Sequence, residues 1–384
     1  MTLGGPMGRQ SDLTLLQKML QINWLLIVLL TMIAGVGFAM LYSAANGSID
    51  PWASRQMMRY GAGLALMLLI ALMDVRSWLR HAYLIYAAAL LLLIAVEVMG
   101  EIGMGARRWV NLGLFQLQPS EMMKIALVLA LARFYHGMPM EEVGRLRWLA
   151  IPLVLILVPV ALVMRQPDLG TAILLLATAM AILILAGVRL WKFALLLGLM
   201  LAAIPFGWRF ILHGYQKDRV LTYLNPDRDP LGAGYQIMQS KIALGSGGLF
   251  GKGFMQGTQS QLAFLPEQET DFIFTMLAEE FGLIGCLGLL GLYVAVIVYG
   301  YAIALRSRSQ FGRLLATGLI TTFFLYVFIN MAMVMGLIPV VGIPLPLVSY
   351  GGTSMMSLLI GFGLILSVYV HRDVIIPRRP GYRD

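Results

Sequence analysis

The sequence is poor in charged residues, cysteine and histidine. Only 12% of its 384 residues are charged, about half the share found in an average soluble domain. The single cysteine, Cys286, excludes an internal disulfide framework. The four histidines are isolated from one another along the sequence, which argues against a metal site built from histidine. The fold must therefore depend on apolar side chains.

Apolar residues are abundant, at 59% of the chain, and the mean hydropathy is +0.82. This composition excludes a soluble globular protein. Crossing the apolar part of a bilayer takes about 20 helical residues. The sequence predicts an all-α, polytopic membrane protein, a single domain over residues 1–384, with ten transmembrane helices at 22–42, 57–73, 80–98, 119–136, 149–165, 169–187, 192–213, 271–304, 314–336 and 349–370.

The net charge of +9 has a topological explanation. Basic residues form short clusters at the ends of apolar runs, so binding to nucleic acid is not expected. Ten spans place both termini on one side, which then holds sixteen of the 28 Lys and Arg residues, whereas the short loops opposite hold five. The positive-inside rule therefore predicts that the segments 1–21 and 371–384 are cytoplasmic.

One long loop, residues 214–270, is predicted on the outer side. Long loops in compact domains are usually functional or disordered, and the apolar residues scattered through this one favour packing on the membrane domain. Its glycine segment, Gly245–Gly253, is not a Walker A loop, because Ser246 and Gly253 replace the required glycine and hydroxyl residue. The glycines predict flexibility or a close approach of the backbone to a ligand.

Charged residues within apolar spans are functional candidates, because each costs about 2.5 to 3.5 kcal/mol at a helix centre. Glu121 and Lys124 are three residues apart and share one helix face. A structural ion pair and a direct functional role both remain open for them. Glu279 and Glu280 are interpreted as structural.

Four predicted helices begin at polar motifs that face outward in this topology. The motifs contain Ser120 and Glu121, Asp168, Asp271 and Ser349, respectively. If these helix starts converge, their free amide groups form a pocket suited to a phosphate or pyrophosphate. Plain helix capping is the alternative at each start.

Basic and aromatic residues flank the outer ends of two spans. Arg107, Arg108 and Trp109 could hold a phosphate through charged hydrogen bonds while the indole packs on a sugar or lipid. The alternative is an interfacial belt of aromatic and long basic side chains. The same two interpretations apply to Arg55 and Arg59, for which the interfacial one is favoured.

Asp271 ends the long loop and opens the eighth span. A carboxylate at the border of an apolar medium and at a helix amino end can be tuned to act as a general base. A helix-capping role would produce the same pattern.

Taken together, these motifs resemble the SEDS family (shape, elongation, division and sporulation), and the match runs through nearly the whole sequence. The run Gly257–Gln261 and the short tails are most similar to the elongation branch of the family. The motifs that carry the resemblance are Gly105–Trp109, Gln118–Glu121 with Lys124, Gln166–Thr171, Asp229–Pro230, Gly234–Gln236, Gln239–Ser240, Ala243–Gly253, Phe264–Glu267, Thr270–Phe274, Pro344–Pro346 and Ser349–Gly352.

The resemblance implies a peptidoglycan glycosyltransferase in the bacterial inner membrane. Such an enzyme polymerises lipid II, an undecaprenyl-pyrophosphate-linked disaccharide peptide, during elongation of the wall, and a class B penicillin-binding protein transpeptidase is its partner. Asp271 then stands at the family's essential loop aspartate, as the general base. Glu121 and Lys124 stand at its central-cavity pair.

The remaining site residues follow from this interpretation. Arg108, with Arg55, Lys241 or the helix ends, would stabilise charge on the departing pyrophosphate. No cofactor is certain, and a divalent cation, Mg²⁺ or Mn²⁺, could replace or assist these basic groups. A lipid II flippase and a non-catalytic scaffold of the wall machinery are the alternative functions. Further candidates for the binding site or cavity are Arg107, Trp109, Ser120, Asp168, Gln239, Ser240 and Ser349.

Overall fold

The computed structural model describes residues 14–99, 101–103, 106–111, 116–139, 141–210, 214–225, 232–261 and 267–377. A short helix, α1 (Leu15–Gln21), precedes the first long one. The helices of 18 or more residues in this part of the chain are α2 (Trp24–Ala44), α3 (Trp52–Leu72), α4 (Val75–Met99), α5 (Pro119–His136), α6 (Leu146–Arg165), α7 (Leu169–Ala186), α8 (Leu190–Phe210), α12 (Ile273–Arg306), α13 (Gln310–Val334) and α14 (Gly352–Val370).

Each of the ten predicted spans overlaps one of these long helices. Within the described ranges, seven of them (α2, α4, α6, α7, α12, α13 and α14) are long and apolar enough to cross a membrane. The prediction of an all-α, polytopic membrane protein is therefore confirmed. Residues 1–13 and 378–384 of the two predicted cytoplasmic segments lie outside the described residues.

The most buried helices are α5, α13 and α14. Fifteen of the 18 residues of α5 are buried. α14 packs along α3, α5 packs along α4, and α13 contacts α5, α7 and α12. Because α5 is enclosed by protein, its charged residues face other side chains instead of lipid.

The start of α3 differs from the prediction. The helix begins at Trp52, after Pro51, and not near residue 57. Arg55, which precedes the predicted span, therefore lies on the first turn of the helix, and Arg59 lies one turn further along. Hydropathy detects only the apolar part of a helix, and this helix continues beyond that part into a polar layer.

A small antiparallel sheet between α4 and α5 was not predicted. Its strands, β1 (Glu101–Gly103), β2 (Ala106–Asn111) and β3 (Gln116–Leu117), are arranged in that order. Glu101 lies opposite Trp109, and Asn111 lies opposite Gln116. Strands this short lack a run of alternating side chains long enough to detect in the sequence.

The long loop contains three helices in its described part: α9 (Gly214–Leu224), α10 (Ala233–Ser246) and α11 (Thr258–Gln261). α10 packs against α12 and α13, and its residues Ile237 and Ala243 are buried. Residues 226–231 and 262–266 lie outside the described ranges, and with them the motif Asp229–Pro230 and most of the motif Phe264–Glu267.

The glycine segment that follows α10 packs on a break in α12. The helix is interrupted at Gly282, whose backbone is non-helical (φ 65°, ψ −160°). The segment supplies hydrogen-bond partners that this interruption removes. Four backbone hydrogen bonds join it to the two sides of the break: Lys252 to Glu279 (3.0 Å), Gly253 to Glu280 (3.0 Å), Leu283 to Gly248 (3.0 Å) and Ile284 to Leu249 (3.2 Å).

The close approach of the backbone that the glycines predict is present, and it is an approach to α12. Contact with a ligand stays a prediction. A β-carbon added at Gly251 would lie 2.1 Å from the carbonyl oxygen of Glu280, and one added at Gly282 would lie 2.3 Å from the Gly251 nitrogen. Only residues without a side chain allow the two backbones to come this close.

We predict that Gly251→Ala destabilises the protein more than Gly248→Ala does. Both glycines have positive φ, but a β-carbon at Gly248 would meet no atom within 4 Å. The control substitution should cost about 1 kcal/mol through backbone conformation alone. Gly251→Ala should cost roughly 1 to 3 kcal/mol more because of overpacking. Thermal unfolding in mild detergent measures the difference, and equal losses would contradict this account of the break.

Candidate active site

Glu121 and Lys124 form a buried ion pair on α5. Both residues are 4% exposed, and the Lys124 Nζ lies 2.6 Å from the Glu121 Oε1. The Tyr326 hydroxyl lies 2.9 and 3.0 Å from the two carboxylate oxygens, and the Ser357 hydroxyl donates to Oε2 at 2.8 Å. The predicted pairing is present, and it joins α5 to α13 and α14.

A small cavity lies beside this pair. Its volume is about 30 Å³, and its lining includes Glu121, Lys124, Tyr326, Ser357 and Phe362. This volume admits one or two water molecules. Lys124 also lies 4.4 Å from the centre of the Tyr326 ring, a cation–π contact. These contacts favour the structural role for the pair over direct contact with a substrate.

Asp271 lies two residues before α12 begins and is half-buried. Its carboxylate is next to Gly342: a β-carbon built on that glycine would lie 3.5 Å from Oδ2. The backbone carbonyl of Asp271 accepts a hydrogen bond from the Asn330 side chain at 2.9 Å. The carboxylate is thus at the start of a helix, beside a residue that leaves space near it.

The four helix starts that the sequence singled out lie at one end of the bundle. Ser357 in α14 contacts Glu121 in α5. Gly170 in α7 packs against Val341 and Ile343, and the intervening Gly342 lies beside Asp271. The connection between α13 and α14 therefore lies between the starts of α7 and α12. We call this end of the bundle the site end.

Asp168 caps α7. Its carboxylate accepts hydrogen bonds from the Thr171 backbone nitrogen (3.1 Å) and hydroxyl (3.0 Å), and the Gln118 amide lies 3.4 Å away. Ser120 is buried in the first turn of α5. The contacts of Asp168 are therefore those of a helix-capping residue. None of its contacts within the described residues indicates a ligand.

Arg108 contacts the turn between α6 and α7. Its Nε donates to the carbonyl of Gln166 at 3.0 Å, and its Nη2 donates to that of Pro167 at 2.5 Å. A cation is favourable at this carboxyl end of α6. Trp109 is half-buried in β2, whereas the side chain of Arg107 lies outside the described part of the structure. Two donors of the Arg108 guanidinium are thus used by backbone carbonyls, and a phosphate would have to compete for them.

The polar residues of α10 fasten the long loop to the end of α13. The Ser240 hydroxyl donates to the Val334 carbonyl at 2.7 Å and lies 3.0 Å from the Thr275 hydroxyl. The Gln239 Oε1 is buried and has no hydrogen-bond partner among the described residues. Lys241 is exposed and lies over Gly336, at the carboxyl end of α13.

Sequence analysis missed two uncharged polar residues at the site end, Gln56 and Asn330. Both are fully buried. Gln56 donates to the Ser349 carbonyl at 2.8 Å, and Asn330 donates to the Ile343 carbonyl at 2.7 Å. For Asn330 the available signal was a neutral amide within an apolar span, because such a group must find partners inside the protein. Gln56 precedes the predicted span and carried no such signal.

Two arginines lie near the start of α3. Arg55 is exposed, which agrees with the interfacial interpretation. The Arg59 guanidinium stacks over Tyr350 at 5.0 Å from the ring centre and lies against Gly352, the first residue of α14. Among the described residues, no group of three or more His, Cys, Asp or Glu side chains could hold a metal ion.

Residues 17–374 match the model of the FtsW/RodA/SpoVE family, which is described as "cell cycle protein". The chain belongs to this family. Over 281 residues it is 50% identical to the "Peptidoglycan glycosyltransferase MrdB" of Escherichia coli (strain K12), a match that covers 73% of this chain and 75% of that protein. The predictions of the family and of a peptidoglycan glycosyltransferase are confirmed.

Solved structures share the fold. The chain is 33% identical to the rod shape determining protein RodA of Thermus thermophilus, with a TM-score of 0.69 over 91% of this chain and 97% of that one. It is 35% identical to a chain of the structure described as "Structural coordination of polymerization and crosslinking by a peptidoglycan synthase complex". That match has a TM-score of 0.78 and covers 91% and 98% of the two chains.

We predict that Glu121→Gln and Lys124→Met are each strongly destabilising and that the double variant is not. Breaking a buried ion pair by removing one partner typically costs 3 to 5 kcal/mol, because one charge is left uncompensated. The double variant buries no charge at either position. Its melting temperature and glycosyltransferase activity should therefore exceed those of either single variant. A stable but inactive double variant would show that the pair acts directly in the reaction.

Proposed function

We propose that this protein polymerises lipid II into glycan strands, with Asp271 as the general base. The acceptor is a sugar hydroxyl, and the donor is a disaccharide linked to undecaprenyl pyrophosphate. The hydroxyl oxygen forms a bond to the anomeric carbon of the donor, and the bond from that carbon to the pyrophosphate oxygen breaks. The Asp271 carboxylate takes the hydroxyl proton, and the pyrophosphate leaves with the bonding electrons.

The placement of Asp271 carries this proposal. It is half-buried, begins the segment that leads into α12, and lies beside a glycine at the site end. A single base without a partner carboxylate as nucleophile fits inversion in one step, by analogy with glycosidases.

Positive groups at the site end suit the departing pyrophosphate. Arg59 lies at the start of α14, where the backbone amides of the first turn carry positive partial charge and the N-cap residue, Gly351, has no side chain to cap them. A guanidinium beside a helix amino end favours an anion between them. Arg59 and the start of α14 therefore replace Arg108 as our preferred pyrophosphate site, with Arg55 and Lys241 as further basic residues.

We also propose that a divalent cation assists the reaction by binding the substrate pyrophosphate. Mg²⁺ usually binds through substrate phosphates and only one or two carboxylates. A site with one reactive carboxylate and a pyrophosphate substrate fits that pattern. The ion would neutralise charge on the pyrophosphate, and this chain's residues would orient the sugar hydroxyl.

The protein is a membrane protein, and we propose that both termini are cytoplasmic and that the site end faces the outer surface of the inner membrane. The distribution of Lys and Arg supports this orientation. The long loop and Asp271 then lie on the side on which glycan strands are assembled. Lipid II supplied from outside is consequently the substrate used in the test below.

We propose a class B penicillin-binding protein as the partner. The sequence contains no S-x-x-K signature of a transpeptidase with its accompanying motifs, so cross-linking requires another protein. A related chain occurs in a structure described as a peptidoglycan synthase complex.

We predict that purification of the tagged protein in mild detergent also recovers a penicillin-binding protein, detected with a fluorescent penicillin. Its absence from repeated purifications would contradict the proposal.

We predict that Asp271→Asn lowers lipid II polymerisation by roughly two orders of magnitude or more, the usual contribution of a general base. The amide keeps the size and a hydrogen-bonding group of the aspartate, so the fold and lipid II affinity should survive. Glu269→Gln is the matched control, since it makes the same chemical change two residues away. Initial rates are measured with short-chain lipid II added outside right-side-out membrane vesicles that contain the protein and its partner.

Each alternative function gives a different result in the same assay. A flippase would move a fluorescent lipid II across the membrane, with a rate only modestly altered by Asp271→Asn, and would produce no glycan. A scaffold would produce neither product. If Asp271→Asn, Glu269→Gln and the wild-type protein all polymerise lipid II at the same rate, Asp271 is not the base.

A further inference from the structure

We propose that Asn330 and Ser349 are positioning residues for Asp271, an inference that rests on the proposed function. Neither side chain needs to contact the substrate for this role. Each holds the backbone immediately before α12 against the connection between α13 and α14. Asn330 belongs to α13, and Ser349 lies three residues before α14. We call the two side chains and their backbone partners the α12 clamp.

Three successive carbonyl groups before α12 accept hydrogen bonds from this region. The Tyr350 backbone nitrogen donates to Glu269 at 2.8 Å, the Ser349 hydroxyl donates to Thr270 at 2.5 Å, and the Asn330 amide donates to Asp271 at 2.9 Å. Consecutive carbonyls point in different directions along the chain. Holding all three fixes both the position and the rotation of the segment that carries the carboxylate.

The same two side chains also bind the opposite segment. The Asn330 Nδ2 donates to the Ile343 carbonyl at 2.7 Å, and the Ser349 Oγ accepts a hydrogen bond from the Leu345 nitrogen at 2.7 Å. Ile343 directly follows Gly342, which faces the Asp271 carboxylate, and Leu345 lies two residues further along. Each side chain therefore connects the base to the backbone that borders it.

The orientation of the Asn330 amide follows from its partners. Both are carbonyl oxygens, so the atom between them must be the nitrogen, which has two hydrogens to donate. Asn330 is 0% exposed, and its Oδ1 has no hydrogen-bond partner in the described residues. Burial of an amide whose oxygen has no donor is costly. The two hydrogen bonds that the Asn330 nitrogen donates therefore account for the presence of a polar residue at this position.

The clamp has a catalytic consequence because proton transfer depends on distance. A general base must lie within about 2.6 to 3.2 Å of the atom that loses the proton. A displacement of about 1 Å can lower a rate by roughly 100-fold. Loss of the clamp should therefore reduce kcat, whereas KM for lipid II, which depends on binding of the long lipid and pyrophosphate, should change little.

The test compares Asn330→Leu and Ser349→Ala with Thr321→Val. The control removes a buried hydroxyl that joins α13 to α12 elsewhere, at 2.9 Å from the Tyr301 hydroxyl. We expect each clamp variant to lower kcat for lipid II polymerisation roughly 10- to 100-fold, with KM within about threefold of wild type. Thr321→Val should keep kcat within about twofold. All rates are measured in the complex with the transpeptidase.

Hydrogen exchange gives a readout that does not depend on activity. The clamp variants should exchange faster at the amides of Leu345 and Tyr350, which donate within the clamp, while exchange in the middle of α13 stays at the wild-type rate. This measurement also identifies a variant that fails to fold, since exchange would then rise throughout. In that case Ser349→Ala, the smaller change, decides the question.

The outcomes separate the two proposals. Faster local exchange together with a lower kcat supports the clamp. A wild-type kcat in both clamp variants, while Asp271→Asn is inactive, overturns the clamp and leaves the proposed function standing. A change in KM alone also overturns it. Wild-type polymerisation by Asp271→Asn overturns the proposed function, and the clamp as a catalytic device with it.

Discussion

Compensation of buried polar groups is the constraint on which this structure depends. Glu121 is enclosed by protein within a helix bundle, and three side chains from three helices supply its donors. Asn330 and Gln56 are enclosed in the same way and bind backbone carbonyls. In an apolar surrounding, such charges and amide donors must find their partners within the chain. The polar network thereby determines which helices are neighbours at the site end.

The fold was largely predictable because it follows from apolar length. All ten long helices were located from hydropathy, and their ends differ from the predictions by a few residues. The errors occur where a helix extends beyond its apolar residues and where a connection forms strands. α3 continues through Arg55 and Arg59, and short strands occupy the connection before α5. Neither feature leaves a periodic signal strong enough to read in one sequence.

The site was predictable in its charged residues and not in its neutral ones. Asp271, Glu121 and Lys124 stand out because a charge in an apolar span is costly. The roles of Arg108 and Asp168 required coordinates, since a phosphate contact and a backbone contact use the same donors and acceptors. Tyr326 and Ser357, which complete the Glu121 network, resemble ordinary residues of a membrane helix in the sequence. Their importance arises only from helix packing.

The break in α12 separates the part of the helix next to Asp271 from the part that extends to Arg306. Residues 273–280 are buried, whereas residues 283–306 form a longer helix with many exposed apolar side chains. A continuous helix would transmit tilting along its whole length. At the non-helical Gly282 the hydrogen bonds of the glycine segment replace the helical ones, so the two parts are joined through that segment. Tilting of the lipid-facing part would therefore reach the Asp271 end of α12 through the glycine segment.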